Sequence, residues 1–338
     1  MTAQRVEPPS AVSVPEPATL PVVAEPGLAP LDAAARAVLA AGAEERIISR
    51  REHFTVSNEY RHDLWFPYLR GLGGVHVGVA SDQNYTLMAV AGSEIGYLID
   101  LDRDVVRLHR SYMALIAASP DPEGFLGRFD AGAQAETLAL IEAGLADMPA
   151  DDRAAAKKFV VDHREALRAY LGEVRAPSEH HAGTWLSDPE LYEHMREMVA
   201  GGRLRPINGN LAGKTAMKTI AAGARALGLP VKTFYLSNAE EYLSYTAAFV
   251  DNVRALPGDA GSVVLRTIHD RFTGWEDCGQ DDRRWNYQVQ PLADFQERLG
   301  DRRNNARTAM LARAVEQGAI DRVARGVSVF KRPAAELR

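Results

Sequence analysis

The chain has 338 residues, a formal net charge of −6, 46% hydrophobic and 25% charged residues, a globular balance with enough apolar surface for one large domain or two smaller ones. The negative charge and a pI near 5.9 exclude a general nucleic-acid binder, which needs a concentrated basic surface. One cysteine, Cys278, excludes an internal disulfide and a cysteine metal cluster, and a reducing cytoplasm is the simplest setting.

Residues 1–30 hold seven prolines without a secretory pattern, so a disordered tail is expected there, followed by a single α/β domain over 31–338. No run of about 18 apolar residues occurs, so no membrane partner is expected. Leu31 and Asp32 open an alanine-rich helix reaching about residue 43, and 45–70 reads as helical or mixed. Within it, the polar stretch 55–60 lies shortly before the first strand. Ser57 reads there either as a helix cap or as part of a segment folded over a ligand. Trp65, Phe66 and Tyr68 read as core.

Val75, His76, Val77, Gly78 and Val79 read as a buried parallel strand. The strand runs into a polar loop in which Gly78, Ala80 and Ser81 are small, while Asp82, Gln83 and Asn84 offer hydrogen-bonding groups at the carboxyl edge of a sheet. A short helix over 85–93 and a second strand over 95–99 follow, and Asp100 stands about 20 residues beyond Gly78, where an acid can accept from ribose hydroxyls. The dinucleotide fingerprint G-x-G-x-x-G is absent. The order of Gly78, Ala80, Ser81 and Asp100 resembles the first βαβ unit of the class I S-adenosylmethionine-dependent methyltransferase superfamily. The stretches SDQNY and YLSNAEEY resemble an uncharacterised bacterial branch of it. The family's acid just before the first glycine is replaced by Val77 or His76, leaving Asp82 as the nearest acid in the loop.

A helix over 104–118 precedes two alanine-rich amphipathic segments, 131–145 and 152–174, read as a helical insertion near 120–185. Glu179, His180 and His181 lack the spacing of a metal motif, and no metal is expected. His180 remains a candidate acid or base only if its loop faces the pocket. Ser187, Asp188, Pro189 and Glu190 mark a strong helix start ending at Gly201 and Gly202. The alternation then resumes with strands over 203–207, 231–236 and 262–268 and helices over 213–227 and 240–253. Gly209-Asn210-Leu211-Ala212-Gly213-Lys214-Thr215 looks like a phosphate-binding loop but has three residues between its glycines where the motif needs four. A nucleotidase is therefore a minor alternative. Trp285 to Leu292 suggests a further, antiparallel strand, 301–315 a helix, and Val327, Val329 and Phe330 an added edge strand. Asp277, Asp281 and Asp282 read as a solvated acidic loop.

The expected fold is thus a doubly wound, mostly parallel α/β sheet of the Rossmann-like methyltransferase type with a helical insertion. The resemblance implies an S-adenosyl-L-methionine cofactor held by Gly78, Ala80, Ser81, Asp82, Asn84, Asp100, Asn210, Leu211, Ser237 and Asn238. It places Asn210 and Leu211 at the adenine and the turn of Ser237 and Asn238 nearest the transferred methyl group, without the prolines of the Asn-Pro-Pro-Tyr motif. Tyr235, Glu240 and His269 are the candidate proton acceptors. A small-molecule substrate is favoured over nucleic acid, and a homo-oligomer is compatible with the chain. A non-catalytic adenosyl-ligand binder and an aminocarboxypropyl transferase are the alternatives.

Overall fold

The computed structural model describes residues 27–45, 47, 53–176, 183–275 and 284–331. Residues 1–26 of the expected tail, the Glu179-His180-His181 run, and the loop carrying Asp277, Cys278, Asp281 and Asp282 lie outside the described residues.

Helix α1 (Ala33–Ala40) starts where Asp32 accepts a hydrogen bond from the Ala35 amide, as an acid ahead of an alanine run should. A 3-10 turn (His62–Trp65) and the short α2 (Phe66–Leu69) lead to β1 (Val75–Gly78), α3 (Gln83–Ala91), β2 (Ile95–Asp100) and α4 (Arg103–Ala117). Four helices follow before the next strand: α5 (Pro122–Gly127), α6 (Gln134–Gly144), α7 (Ala150–Arg175) and α8 (Pro189–Ala200). The last begins with Asp188 as cap and Pro189 in its first turn, because proline has no amide to leave unsatisfied there. Next come β3 (Leu204–Asn208), α9 (Ala216–Ala226), β4 (Val231–Ser237), a 3-10 turn (Ala239–Glu241), α10 (Ala247–Arg254) and β5 (Val263–His269). The last described elements are α11 (Asp270–Thr273), β6 (Trp285–Pro291), α12 (Leu292–Arg298), α13 (Arg307–Glu316), β7 (Ile320–Ala324) and β8 (Val327–Phe330).

All eight strands form one mixed sheet in the order β3-β2-β1-β4-β5-β6-β8-β7. Strands β1 to β5 are mutually parallel; β6 runs antiparallel to β5, β8 parallel to β6 and β7 antiparallel to β8. The architecture is α/β and compatible with a Rossmann-like fold. Every residue of β1 is buried because helices cover both faces, which is why its sequence is apolar without alternation. On one face Val75, Val77 and Ile99 pack with Ile220 of α9, Phe249 of α10 and Phe295 of α12. On the other, Tyr85 and Leu98 pack with Leu108 of α4, Phe125 and Phe159 of the inserted helices, and Trp185 of the turn before α8. Each such side chain contributes about 1.5–3 kcal/mol on burial.

Two departures from the sequence reading, and the polarity of one end strand, have local causes. The helix expected over 240–253 is broken: Glu240 turns inward, and α10 starts only where Thr246 accepts from the Phe249 amide. Strand β8 is not an edge, because β7 pairs outside it. Arg203, just before β3, and Arg205 within it make this end strand of the sheet less apolar because residues 27–45 cover it: Arg203 donates to the carbonyl of Ala29, and Arg205 to those of Leu39 and Gly42, protecting an edge from foreign strands. Among the described residues no helix is long and apolar enough to cross a membrane.

Candidate functional site

The strand order reverses between β1 and β4. The crossover from β1 leaves toward β2, whereas β4 leads to β5 on the other side, so the loops at their carboxyl ends part at the usual ligand position of such sheets, a crevice that residues 53–61 fill here. Non-glycine residues adopt left-handed backbone at both lips: Ala80 after β1 at φ 65° and Ser237 ending β4 at φ 50°. Such conformations cost about 1–3 kcal/mol each and persist where the surroundings impose them.

At the first lip, the Ala80 amide donates to Asp100 Oδ2 at 3.1 Å and its carbonyl accepts from His109 Nε2 at 2.7 Å. The other His109 nitrogen then accepts from the Tyr85 hydroxyl, 2.7 Å away. Burial holds His109 neutral, its pKa pushed down to about 4. At the second lip the pairing of β4 with β5 slips between Tyr235 and Ser237. A bulge of this kind re-aims side chains, and both Tyr235 and Ser237 reach the same carboxylate.

That carboxylate is Glu59. Residues 53–61 run across the carboxyl edge, and Glu59 is 0% exposed. Its Oε2 accepts from the Tyr235 hydroxyl at 2.5 Å and its Oε1 from Ser237 Oγ at 2.8 Å and from Thr267 Oγ1 of β5. His62 Nε2 lies 3.6 Å away. Burial alone would raise the Glu59 carboxyl, but His62, Thr267 and Tyr235 together hold it below its ordinary pKa, so it is ionised at neutral pH. Burial and the neighbouring Glu59 charge push the Tyr235 phenol well upward. The rest of the segment is stitched down by Ser81 donating to the Thr55 carbonyl, Trp285 to that of Asn58, and the Tyr60 and Arg61 amides donating to the Tyr287 hydroxyl. Ser57 caps no helix; it bridges the amide and carbonyl of Glu59.

The structure therefore gathers Tyr235, Ser237, Ala80, Ser81 and Asp100 at the crevice and gives several other candidates work elsewhere. Asn84 is wholly buried: it donates to the carbonyls of Val79 and Ser81 and accepts from His76. A Cβ on Gly78 would stand 1.8 Å from Asn84 Oδ1, so this glycine makes room for the protein's own side chains. Asp82 is buried against the inserted helices, accepting from Trp185 Nε1 at 3.0 Å, and burial raises its carboxyl. Glu240 pairs with Arg266 and Tyr245 rather than facing Glu59. His269 Nδ1 lies 2.8 Å from Asp270, with part of its ring exposed. Asn238 touches Ser237 Oγ at 3.5 Å.

Asn210 and Leu211 belong to a different arrangement. Leu211 packs into the core beneath α9. The amides of Asn210 and Thr215 both donate, at 2.8 Å, to the carboxylate of Glu45, and a Cβ on Gly213 would stand 2.1 Å from its Oε1. The loop that looks like a phosphate site does grip an anion at a helix N-terminus, and the anion is the chain's own. Replacing Glu45 by alanine should lower stability by about 1–2 kcal/mol, the usual loss of an N-terminal cap; a melting temperature equal to wild type would show that the contact contributes nothing.

The fold and the site together define an α/β protein with a mixed eight-stranded sheet and a polar, carboxylate-centred crevice where its strand order reverses. By sequence, the chain belongs to the family described as Domain of unknown function (DUF7790), whose model matches residues 54–331. That span takes in the crevice, the inserted helices and the whole sheet. A search of curated proteins returned no match.

Proposed function

We propose that the protein is an S-adenosylmethionine-dependent transferase that binds the adenosyl cofactor in the β1/β4 crevice and passes its methyl group to a small molecule. The observation that carries this reading is the buried, ionised Glu59 between two strained lips. A fixed anion in a low-dielectric crevice suits a cation, and the cofactor offers two, its ammonium and its sulfonium. Glu59 supplies the acid that the resembled superfamily carries just before its first glycine and that Val77 leaves out. Asp82 is the poorer substitute, because its burial favours the uncharged form. Asp100, fixed by the Ala80 and Asp102 amides, stands at the end of β2 where ribose hydroxyls would be held. Glu59 lies within residues 53–61, so entry of the cofactor requires this segment to lift from the edge and to close again with Glu59 against the bound cation.

In this reading the protein supplies alignment and a dry, charged site for attack of a bound nucleophile on the methyl carbon. Calorimetry with S-adenosylmethionine and S-adenosylhomocysteine tests it: both should bind, and Asp100→Ala should weaken both by about 1–3 kcal/mol, the loss of a charged hydrogen-bond acceptor. Failure of both to bind overturns the proposal. A second reading, an adenosyl-ligand binder without catalysis, is favoured by the commitment of Tyr235 to Glu59 and of Glu240 to Arg266. Incubation with labelled methyl donor and a cell extract separates the two, and the fate of the label also distinguishes methyl from aminocarboxypropyl transfer.

A further inference from the structure

We propose that His53, Asp102 and Asp104 form a binding site for one divalent transition-metal ion of the zinc and manganese class, on the rim of the crevice beyond β2. One nitrogen of His53 and one oxygen from each carboxylate lie within 4.8 Å of one another. Each carboxylate is held so that one oxygen is anchored by the protein and the other faces the imidazole. Asp102 Oδ1 accepts from the Asp104 amide at 2.9 Å while its Oδ2 lies 2.6 Å from His53 Nδ1. Asp104 Oδ1 accepts from Arg107 Nη1 at 2.6 Å while its Oδ2 lies 4.0 Å from His53 Nε2. Outer partners that fix one oxygen and aim the other are the usual support of metal-binding carboxylates. Arg107 does not cancel the cluster's charge, because it and Arg103 also bind Asp152, leaving three carboxylates against two guanidinium groups.

A second imidazole lies nearby on α7, outside that group of three converging donors. His163 meets the His53 ring edge-on with centroids 5.9 Å apart, near the spacing of about 5–6 Å that two imidazoles on one ion reach with metal–nitrogen bonds of about 2.0–2.1 Å. Its Nδ1 faces the Phe159 carbonyl at 2.9 Å. Phe159 stacks on His163 at 4.1 Å and meets His53 at 5.2 Å, walling one side with apolar surface. Imidazole with carboxylate selects zinc, manganese or iron over magnesium and calcium, which prefer all-oxygen sets. Three protein donors leave room for water or a ligand oxygen. The Asp102 amide donates to Asp100 at 2.7 Å, which ties the site to the crevice rim; the metal site stands whether or not the adenosyl reading does. Sequence patterns cannot show it, because His53 lies 49 residues before Asp102.

The test is calorimetric titration of the EDTA-stripped full chain with Zn²⁺ and with Mn²⁺, using Mg²⁺ for comparison. The expected result is one Zn²⁺ or Mn²⁺ ion per chain, with Mg²⁺ much weaker. His53→Ala and Asp104→Asn should each weaken binding at least about tenfold, and His163→Gln by a smaller factor. Far-ultraviolet circular dichroism and melting of each metal-free variant establish that it folds, so a lost site is not a lost structure. No stoichiometric binding by the wild type, or binding unchanged in folded His53→Ala and Asp104→Asn, overturns the assignment.

Discussion

Replacing Glu59 by alanine is expected to cost about 3–5 kcal/mol of folding stability, among the larger effects of a single substitution. The carboxylate is the common acceptor for Tyr235, Ser237 and Thr267 and lies beside His62. Its removal leaves three hydroxyls buried without that acceptor, each costing about 1–3 kcal/mol unless water enters to satisfy it. Glu59→Gln keeps the volume but turns an NH₂ toward groups that were donors, so a loss of about 1–3 kcal/mol is expected. Urea unfolding followed by both circular dichroism and fluorescence measures this, with coincident transitions required before the midpoint is converted to free energy. A loss below about 1 kcal/mol for the alanine variant would mean that residues 53–61 are not docked on the carboxyl edge.

The same group fixes the direction of a pH effect. Its folded pKa lies below the ordinary value, so the folded state binds this proton more weakly than the unfolded chain does. The stabilisation is therefore fully present above about pH 4.3, the unfolded glutamate value, and is lost as pH falls through the lower folded value. Stability profiles of wild type and Glu59→Gln should converge below that window and separate above it. Profiles that stay parallel would show that Glu59 does not titrate as described.

The parts of the molecule legible in sequence are those whose signals are local. Strands β1 and β2 are apolar runs because both faces of the sheet are covered, and α8 is marked by Asp188 and Pro189 before any contact is considered. Asp100 is legible as the residue at the end of β2, where the apolar run stops. What sequence could not show is how chemically similar residues divide between crevice and core. Glu59 and Glu240 flank the same strand end, yet one turns to Tyr235 and the other to Arg266, a choice made by the bulge at Ser237 and by side chains more than 20 residues away. The loop of Asn210 likewise has the composition of an anion site, but its occupant, Glu45, lies 165 residues from Asn210. Residues 55–60 were identifiable as polar and close to the first strand. Their central carboxylate was not, because its partners lie on β4 and β5.

Breaking the Arg266–Glu240 pair should be as costly as losing Glu59, and restoring it with apolar groups should be nearly free. Arg266 is 1% exposed; it donates to both Glu240 oxygens at 3.1 and 3.3 Å and to Gln290, with its guanidinium 4.4 Å above the centre of the Phe295 ring. Its Nε has no hydrogen-bond partner among the described residues, so the pair is imperfectly compensated even before mutation. Arg266→Met leaves a buried carboxylate that keeps its Tyr245 donor but loses its cation, and a loss of about 3–5 kcal/mol follows from stranding one charge. The double variant Arg266→Met with Glu240→Leu removes both charges from a site already lined by Phe295 and Phe330, so it should recover most of that loss. A double-mutant cycle in urea measures the coupling; additive losses would mean that the two side chains act independently. Because the pair belongs to the packing of β5 against α12, the double variant should also keep the affinity of any crevice ligand. A folded double variant that loses ligand binding would return Glu240 to the site.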